Sequence, residues 1–265
     1  MADDALQAYY ARDEERDRLD RGVGRLEFAR TIEILQRTLP APGAVVADIG
    51  GGPGRYTDWL VAAGYDVIHR DLVAHHVEQV AARHGGGVDT AVGDACALDL
   101  ADGSADAVLL LGPLYHLDER ADRVRALAEA RRVVRAGGVV HAAAISRWAP
   151  RLHGMLVDHV HVEHPAIVTM IEEVERSGHM PPVHDGAFTG YAHTPAELSD
   201  EVRQAGLELE SVLAVEGVGF ALADLDERMD DPTERALLMD VLRKLESVPE
   251  LRGLGTHLLA IGHKV

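Results

Sequence analysis

The sequence predicts an α/β fold built on a doubly wound parallel sheet. Short apolar runs rich in β-branched residues alternate with stretches whose apolar residues recur at helical spacing. Glycines stand where several of these helices would end. Strands that alternate with helices pair in parallel and are covered by helices on both faces. The 265 residues are enough for one large domain.

Seven strands and the helices between them can be assigned in chain order. We expect strands at 45–50, 66–71, 89–94, 105–112, 139–145, 207–217 and 256–264. We expect helices at 21–35, 55–64, 75–85, 119–138, 194–206 and 232–247. The helix at 194–206 has Thr194 as N-cap, Pro195 at its first position and Gly206 as its stop. Residues 146–193 are rich in His and Pro and interrupt the alternation.

The charge and the cysteine content restrict the partners and the compartment. The formal net charge of −18 argues against nucleic acid and anionic membranes, because both attract positive surfaces. Cys96 is the single cysteine, so no disulfide forms within the chain, and a packed thiol in a reducing cytoplasm is expected. No apolar run reaches the roughly 20 residues of a membrane span, and the acidic N-terminus is not a secretory signal. A cytoplasmic protein is therefore expected.

The glycine cluster DIGGGPGRY at 48–56 follows the first strand and opens a helix. The dinucleotide fingerprint G-x-G-x-x-G fails, since its sixth position is Arg55 or Thr57 in the two registers. A phosphate-binding P-loop needs a lysine, and none is near. A nicotinamide oxidoreductase and a nucleoside triphosphatase are thus disfavoured. The pattern that does fit is D-x-G-x-G-x-G.

This pattern resembles motif I of the class I S-adenosylmethionine (SAM) dependent methyltransferases. The resemblance implies a Rossmann-like sheet of order 3-2-1-4-5-7-6 with the last strand antiparallel, SAM as cofactor and S-adenosylhomocysteine (SAH) as product. It also implies that Asp71, which ends strand two, binds the ribose hydroxyls, and that Asp94, which ends strand three, faces the adenine amino group. The cofactor-binding residues predicted in this way are Asp48, Gly50, Gly51, Gly52, Gly54, Asp71, Leu72, Asp94, Ala95, Leu111 and His116.

The resemblance covers about residues 40–146 and 194–264. We expect a single domain with an N-terminal lid at 1–39, a SAM-binding core at 40–145, a cap insertion at 146–193 and the rest of the sheet at 194–265. Relatives that methylate amines of bases carry a polar residue after strand four, where this chain has Gly112. A bacterial enzyme of secondary metabolism is expected, which methylates an O, N or C nucleophile of a small metabolite by in-line displacement. We expect a monomer or homodimer.

The residues around the acceptor are predicted from their places after strand ends and in the cap. His116 and His193 are candidate bases, although His116 could instead pack on the adenine, and Tyr115 could orient the ligand. Candidate acceptor-binding residues are Tyr9, Tyr10, Arg21, Arg147, Trp148, Tyr191 and His193. His159, His161, Glu163 and His164 lie close together in the sequence, but their pattern fixes no geometry, so no metal site is expected.

Two other functions stay open at this level. One is an enzyme that binds SAM and uses its positive charge without transferring the methyl group. The other is a SAM-binding protein without catalytic activity.

Overall fold

All seven predicted strands are present in the computed structural model, which describes residues 18–182 and 189–265. They are β1 (Val45–Ile49), β2 (Asp66–Asp71), β3 (Asp89–Val92), β4 (Ala105–Leu110), β5 (Val134–Ser146), β8 (Glu208–Ala214) and β9 (His257–His263). The short strands β6 (His179–Met180) and β7 (Gly190–His193) lie in the irregular segment. β1 to β5 pair in parallel, and β9 pairs antiparallel with both β5 and β8. Counting only the seven predicted strands, the order 3-2-1-4-5-7-6 is confirmed.

Helices cover both faces of this sheet. They are α1 (Gly22–Thr38), α2 (Arg55–Ala62), α3 (Ala74–His84), α4 (Arg120–Val133), α5 (Val160–Glu163), α6 (Ile167–Ser177), α7 (Pro195–Gln204), α8 (Leu225–Asp230) and α9 (Pro232–Leu245). Apolar residues of α1, α2 and α3 form one core cluster against the sheet, and residues of α4 and α7 form another. Within the described ranges, no helix is long and apolar enough to cross a membrane.

Capping chemistry fixes the start of α7 as the sequence predicts. The Thr194 hydroxyl accepts a hydrogen bond from the Glu197 backbone N–H, and the Glu197 carboxylate accepts one from the Thr194 backbone N–H. Pro195 is the first helical residue, where its missing N–H has no cost. Gly206 follows the helix with a φ of 85°, a conformation that glycine adopts without strain.

The boundary between α4 and β5 differs from the prediction. The helix ends at Val133, and the chain enters β5 at Val134, which pairs with Ala105. Gly137 and Gly138 therefore lie inside the strand and do not stop the helix. The pairing register shifts between Ala105 and Ala107, and Gly137 has a φ of 75°, which together mark a bulge. The local pattern favoured a longer helix because it carries no signal of pairing to β4.

The irregular segment 146–193 returns to the sheet through β7. Before that it forms a π-helical turn (Pro150–Met155), α5 and α6. β7 pairs in parallel with the carboxyl end of β5, where Ile145 faces Ala192. β9 pairs with the opposite edge of β5 at Ile145. β7 therefore lies on the same edge of β5 as β4, past Leu110, where β4 ends. The segment thereby brings β7 next to the turn that follows β4.

The predicted N-terminal lid is part of the layer that covers the sheet. Ile34 and Leu35 of α1 pack into the core, and the Thr38 hydroxyl lies 2.7 Å from Nε2 of His141 on β5. Only the first turns of α1 reach the carboxyl edge, where Glu27 lies within 3.7 Å of His257. Whether these turns also close over a ligand stays a prediction.

Candidate cofactor and acceptor site

The loop after β1 has a backbone that only glycine adopts without strain. Gly50, Gly52 and Gly54 have φ values of 67°, 56° and 89°. A Cβ on Gly50 would lie 2.6 Å from Cγ of Pro113, and a Cβ on Gly54 would lie 2.5 Å from Cγ2 of Val80. At Gly52, in contrast, a Cβ would meet nothing within 4 Å. The loop is thus packed at both ends, and its middle presents bare backbone to open space.

Asp48 lies beneath this loop and not on its open surface. The side chain is fully buried, and its Oδ2 accepts a hydrogen bond of 2.7 Å from the Thr57 hydroxyl of α2. The same hydroxyl is 3.0 Å from Nδ1 of His69 on β2. Burial raises the pKa of the Asp48 carboxyl. Asp48 therefore holds β1, β2 and α2 together under the glycines.

Asp71 joins the end of β2 to the glycine loop. Its Oδ2 accepts a hydrogen bond of 2.8 Å from the Gly52 N–H, and its Oδ1 accepts one of 2.8 Å from the Val73 N–H. Nδ1 of His76 is 3.1 Å from Oδ1. Burial acts to raise the pKa of Asp71, but the interactions with His76 and the two backbone N–H groups keep it below its ordinary value. A carboxylate offers about four lone pairs, so after these three contacts a site for one more hydroxyl remains, on Oδ2.

Asp94, expected at the adenine, follows β3 at the same edge. It is exposed, and its Oδ1 accepts a hydrogen bond of 2.8 Å from the Cys96 N–H, which shapes the turn. Cys96 itself is half-buried, and burial raises the pKa of its thiol to about 11, so this sulfur is a packed, unreactive group. Leu72, Ala95 and Leu111 are half-buried at the neighbouring strand ends.

The turn after β4 faces the glycine loop. It is a 3₁₀ turn, Pro113–His116, in which the Tyr115 hydroxyl donates a hydrogen bond of 3.2 Å to the Leu111 carbonyl. The rings of Tyr115 and His116 are 4.8 Å apart. Burial lowers the pKa of His116 to about 4, although the Asp71 carboxylate opposes the shift. His116 is therefore neutral near pH 7 and lies within electrostatic reach of Asp71.

Three predicted acceptor residues belong instead to a buried network beside β7. The Arg147 guanidinium donates to the Ala192 carbonyl and to both Glu197 oxygens, the latter at 2.6 and 2.8 Å. Tyr191 donates to Glu197, and its ring lies 3.6 Å below the Arg123 guanidinium. His193 is fully buried, its Nε2 is 3.1 Å from Glu201, and burial lowers its pKa. These side chains tie β5, β7 and α7 together.

The remaining predicted residues are dispersed. Tyr9 and Tyr10 lie outside the described residues. Arg21 is exposed directly before α1, and its side chain does not cap the helix. Trp148 is exposed after β5 and lies against Gly253. The histidine-rich stretch is also open: His159 has a φ of 53°, and its ring is 6.2 Å from that of His161. Within the described ranges, this stretch holds no group of three convergent metal-ligating side chains.

One cluster at the carboxyl edge has no counterpart in the sequence prediction. Glu216 follows β8 and is fully buried, and its Oε2 accepts the His257 backbone N–H at 2.9 Å. Nδ1 of His257 is 2.5 Å from Glu216 Oε1 and 3.7 Å from Oε2 of Glu27, which is itself bonded to Arg18. Burial disfavours the charged form of the His257 imidazole, but the carboxylates of Glu27 and Glu216 raise its pKa to about 9. The three residues are far apart in sequence, so no local spacing could reveal them.

The fold and this loop define the class of the protein. A doubly wound sheet of order 3-2-1-4-5-7-6 carries a D-x-G-x-G-x-G loop after β1 and an acidic residue at the end of β2. That combination is the class I SAM-dependent methyltransferase fold. The family comparison agrees, because residues 47–142 match the family model described as a methyltransferase domain. Residues 47–142 thus match a methyltransferase domain, and the chain has the fold of the SAM-dependent methyltransferases.

Three known proteins illustrate the relationship. A probable tRNA methyltransferase 9B of Bos taurus is 33% identical over 97 residues, which are 37% of this chain and 20% of that protein. The matched stretch thus spans about a fifth of that relative's length. A SAM-dependent methyltransferase of Thermotoga maritima, described as a possible histamine N-methyltransferase, has a TM-score of 0.63 and 20% identity over all of both chains.

The third is the 1,6-didemethyltoxoflavin-N1-methyltransferase of Burkholderia thailandensis, solved with its acceptor and SAH. It has a TM-score of 0.58 and 16% identity, and the match covers 98% of this chain and 88% of that one. At these identities the two solved structures establish the shared fold.

SAM is the cofactor of this class, and the residues present fit it. SAM carries no phosphate, and the loop has no lysine. Bare backbone at Gly52 leaves space for a ligand to approach. Beside it, the ionised Asp71 carboxylate has acceptor capacity for a ribose hydroxyl.

Proposed function

We propose that this protein transfers a methyl group from SAM to an O, N or C nucleophile of a small metabolite by in-line displacement. The observation that carries the proposal is the open Gly52 backbone, which donates a hydrogen bond to Asp71, in a loop whose Gly50 packs against Pro113. When bound, SAM supplies an activated methyl group. The residues of this chain bind and orient the two reactants and exclude water.

The proposed cofactor contacts follow from position along the carboxyl edge. Asp71 accepts a hydrogen bond from a ribose hydroxyl, and Asp94 with the Ala95 backbone binds the edge of the adenine. Leu72, Leu111 and His116 supply surface on either side of the adenosine. Asp48 acts from below, because its buried carboxylate holds the first turn of α2 through Thr57.

On the acceptor side, we propose Tyr115, Trp148 and the segment 146–193 as the walls of the pocket. His116 is a weak base, because burial lowers the pKa of its imidazole to about 4. His193 is bonded to Glu201 in the interior. Alignment and desolvation of the nucleophile are therefore proposed to provide most of the rate enhancement, and alignment alone can supply about 7 kcal/mol or more.

A small acceptor is favoured over nucleic acid by the net charge of −18 and by Gly112 in place of a polar residue after β4. The Burkholderia thailandensis enzyme of the same fold is solved with 1,6-didemethyltoxoflavin bound, which supports a small-molecule acceptor. The relative described as a tRNA methyltransferase shares only the 97-residue stretch. A cytoplasmic monomer or homodimer is part of the proposal.

Calorimetry and product analysis test the proposal in order. Purified protein should bind SAH, and incubation with SAM and a metabolite mixture should release SAH with a mass gain of one methyl group in the acceptor. Bulk tRNA serves as the competing acceptor. If tRNA is methylated and no metabolite is, the acceptor is a nucleic acid and the proposed small metabolite is wrong. SAH binding without any methylated product would favour one of the two non-methylating alternatives.

A further inference from the structure

The cluster of Glu27, Glu216 and His257 shares no residue with the glycine loop and has no part in the function proposed above. Its members come from three elements: α1, the residues after β8, and the start of β9. One carboxylate oxygen of each glutamate and one ring nitrogen of His257 all lie within 4.8 Å of one another. Among the described residues, these three side chains form the group of possible metal ligands whose ligand atoms lie this close together.

Burial distinguishes this cluster from acidic pairs at the surface. Glu216 is fully buried and Glu27 is 9% exposed. Converging two carboxylates in the interior is costly unless cations balance them. A short turn, Arg18–Asp20, brings the Arg18 guanidinium onto Glu27, with Nη2 at 3.0 Å from Oε1. The His257 imidazole and backbone N–H lie at hydrogen-bond distance from Glu216, and the Thr256 hydroxyl also contacts its carboxylate.

A fourth polar group, the Thr256 hydroxyl, lies at the edge of this cluster. Thr256 is 7% exposed, and its hydroxyl lies beside the Glu216 carboxylate, whose pKa it helps to lower. Nevertheless, this buried Oγ1 has no hydrogen-bond partner of good geometry among the described residues. Buried hydroxyls are satisfied in the great majority of proteins, so an oxygen of this kind indicates an additional partner.

We propose that Glu27, Glu216 and His257 bind a divalent transition-metal ion, with Thr256 as an auxiliary oxygen. Two carboxylates and one imidazole form the donor set that Zn²⁺ accepts, whereas Mg²⁺ favours oxygen ligands alone. The 3.7 Å between His257 Nδ1 and Glu27 Oε2 suits two ligands of one ion. Glu216 Oε1 needs to withdraw by about 1 Å from Nδ1, because ligand atoms of one Zn²⁺ stand farther apart than hydrogen-bonded ones.

Arg18 is the competitor for this site. It holds both oxygens of Glu27, but 39% of its side chain is exposed, so it can turn toward solvent when an ion binds. The proposal therefore makes opposite predictions for the ligands and for the competitor. Removing a ligand weakens the site, and removing Arg18 strengthens it. A purely structural ion-pair network would give neither a defined stoichiometry nor a gain.

The test uses the full chain, freed of metal by a chelator, and titrates it with Zn²⁺ and separately with Mg²⁺ in a calorimeter. We expect one Zn²⁺ per chain, tighter than Mg²⁺. His257→Gln and Glu27→Gln should each weaken Zn²⁺ binding at least about tenfold. Arg18→Gln should tighten it. His263→Gln is the matched control, because His263 and Glu210 pair across the same two strands at the opposite, exposed end.

Other outcomes overturn the proposal. Absence of Zn²⁺ binding would do so, as would Zn²⁺ binding that survives both His257→Gln and Glu27→Gln but is lost in His161→Gln, which would place the ion in the histidine-rich stretch. If His257→Gln does not fold, the Zn²⁺ affinities of Glu27→Gln and Arg18→Gln still test the proposal. These two substitutions lie in α1 and in the turn before it, and they leave β9 unchanged. None of these measurements uses methyl transfer, so failure of the metal site and failure of the proposed activity are separate results.

Discussion

The Gly52 N–H donates a hydrogen bond of 2.8 Å to Asp71 Oδ2, so one carboxylate fixes both the glycine loop and the end of β2. The loop presents its backbone to open space at Gly52, and Asp71 stands beside it. A single residue is thus expected to act in two ways, as a ligand of the ribose and as the support of the loop.

Asp71→Ala should weaken SAH binding by about 10-fold to 100-fold, because hydrogen bonds to a charged group each contribute about 1.5–3 kcal/mol. Calorimetry with SAH measures the effect. Asp89→Ala is the control. This exposed aspartate is the first residue of β3, at the amino ends of the parallel strands and away from the proposed cofactor site, and it pairs with Arg70. Unchanged SAH affinity in folded Asp71→Ala protein would show that the cofactor lies elsewhere.

Gly50→Ala should lower both stability and SAH affinity. The φ of 67° costs a residue with a Cβ about 1–2 kcal/mol, and the new carbon would lie 2.6 Å from Cγ of Pro113. Gly86→Ala is the control, since a Cβ there would meet nothing within 4 Å. Thermal melting with and without SAH reports both effects. A Gly50→Ala protein that melts and binds like the wild type would contradict the geometry of the loop.

Glu201→Gln should destabilise the protein by about 3 kcal/mol or more, because it leaves the Arg123 guanidinium buried without its carboxylate. Arg123 is 1% exposed and donates to Glu201 at 2.9 and 3.1 Å. Asp200→Asn tests the neighbouring position of α7, where an exposed pair with Arg203 should contribute less than about 1 kcal/mol. Chemical denaturation compares the two. Equal, small losses would mean that the network beside β7 is not needed for stability.

Stability should fall in acid partly through His141. This residue is fully buried, and burial lowers its pKa to about 3, so the unfolded chain binds the proton more readily. The sign follows: stability is lost as pH falls below the unfolded pKa of about 6.5, and the loss reaches about 2 kcal/mol near pH 5.

The slope of melting temperature against pH measures this effect. His141→Asn should flatten the slope between about pH 6.5 and pH 4, while its melting temperature near pH 7 is lower. His75→Asn, at an exposed histidine of α3, should leave the slope as in the wild type. Parallel slopes for His141→Asn and wild type would assign the acid sensitivity to other groups.

Much of the fold follows from local pattern. Alternation of apolar runs and helical stretches located all seven strands. The signal is strongest for β1 and β4, whose side chains are mostly buried and leave an apolar run. Thr194, Pro195 and Gly206 marked the bounds of α7 through capping chemistry. The pattern placed the end of α4 too late, since the pairing of Val134 with Ala105 depends on a distant strand.

The backbone of the loop proposed to bind the cofactor was also predictable from the sequence. The spacing of Gly50, Gly52 and Gly54 reflects backbone angles that only glycine tolerates, and angles are local properties. The acidic residues Asp71 and Asp94 come directly after strands, and the carboxyl ends of parallel strands meet at one edge.

The surroundings of the residues predicted to bind the acceptor depend on the tertiary structure. His193, Tyr191 and Arg147 looked available in the sequence, yet the return of β7 beside β5 buries them against Glu197 and Glu201. Glu27, Glu216 and His257 gave no signal, because residues so far apart in the chain meet only when α1 and β9 reach the same edge. Local sequence was therefore enough to predict the class and its cofactor, because both depend on short-range backbone geometry. Which polar side chains converge was decided only by folding, because that depends on contacts between distant elements.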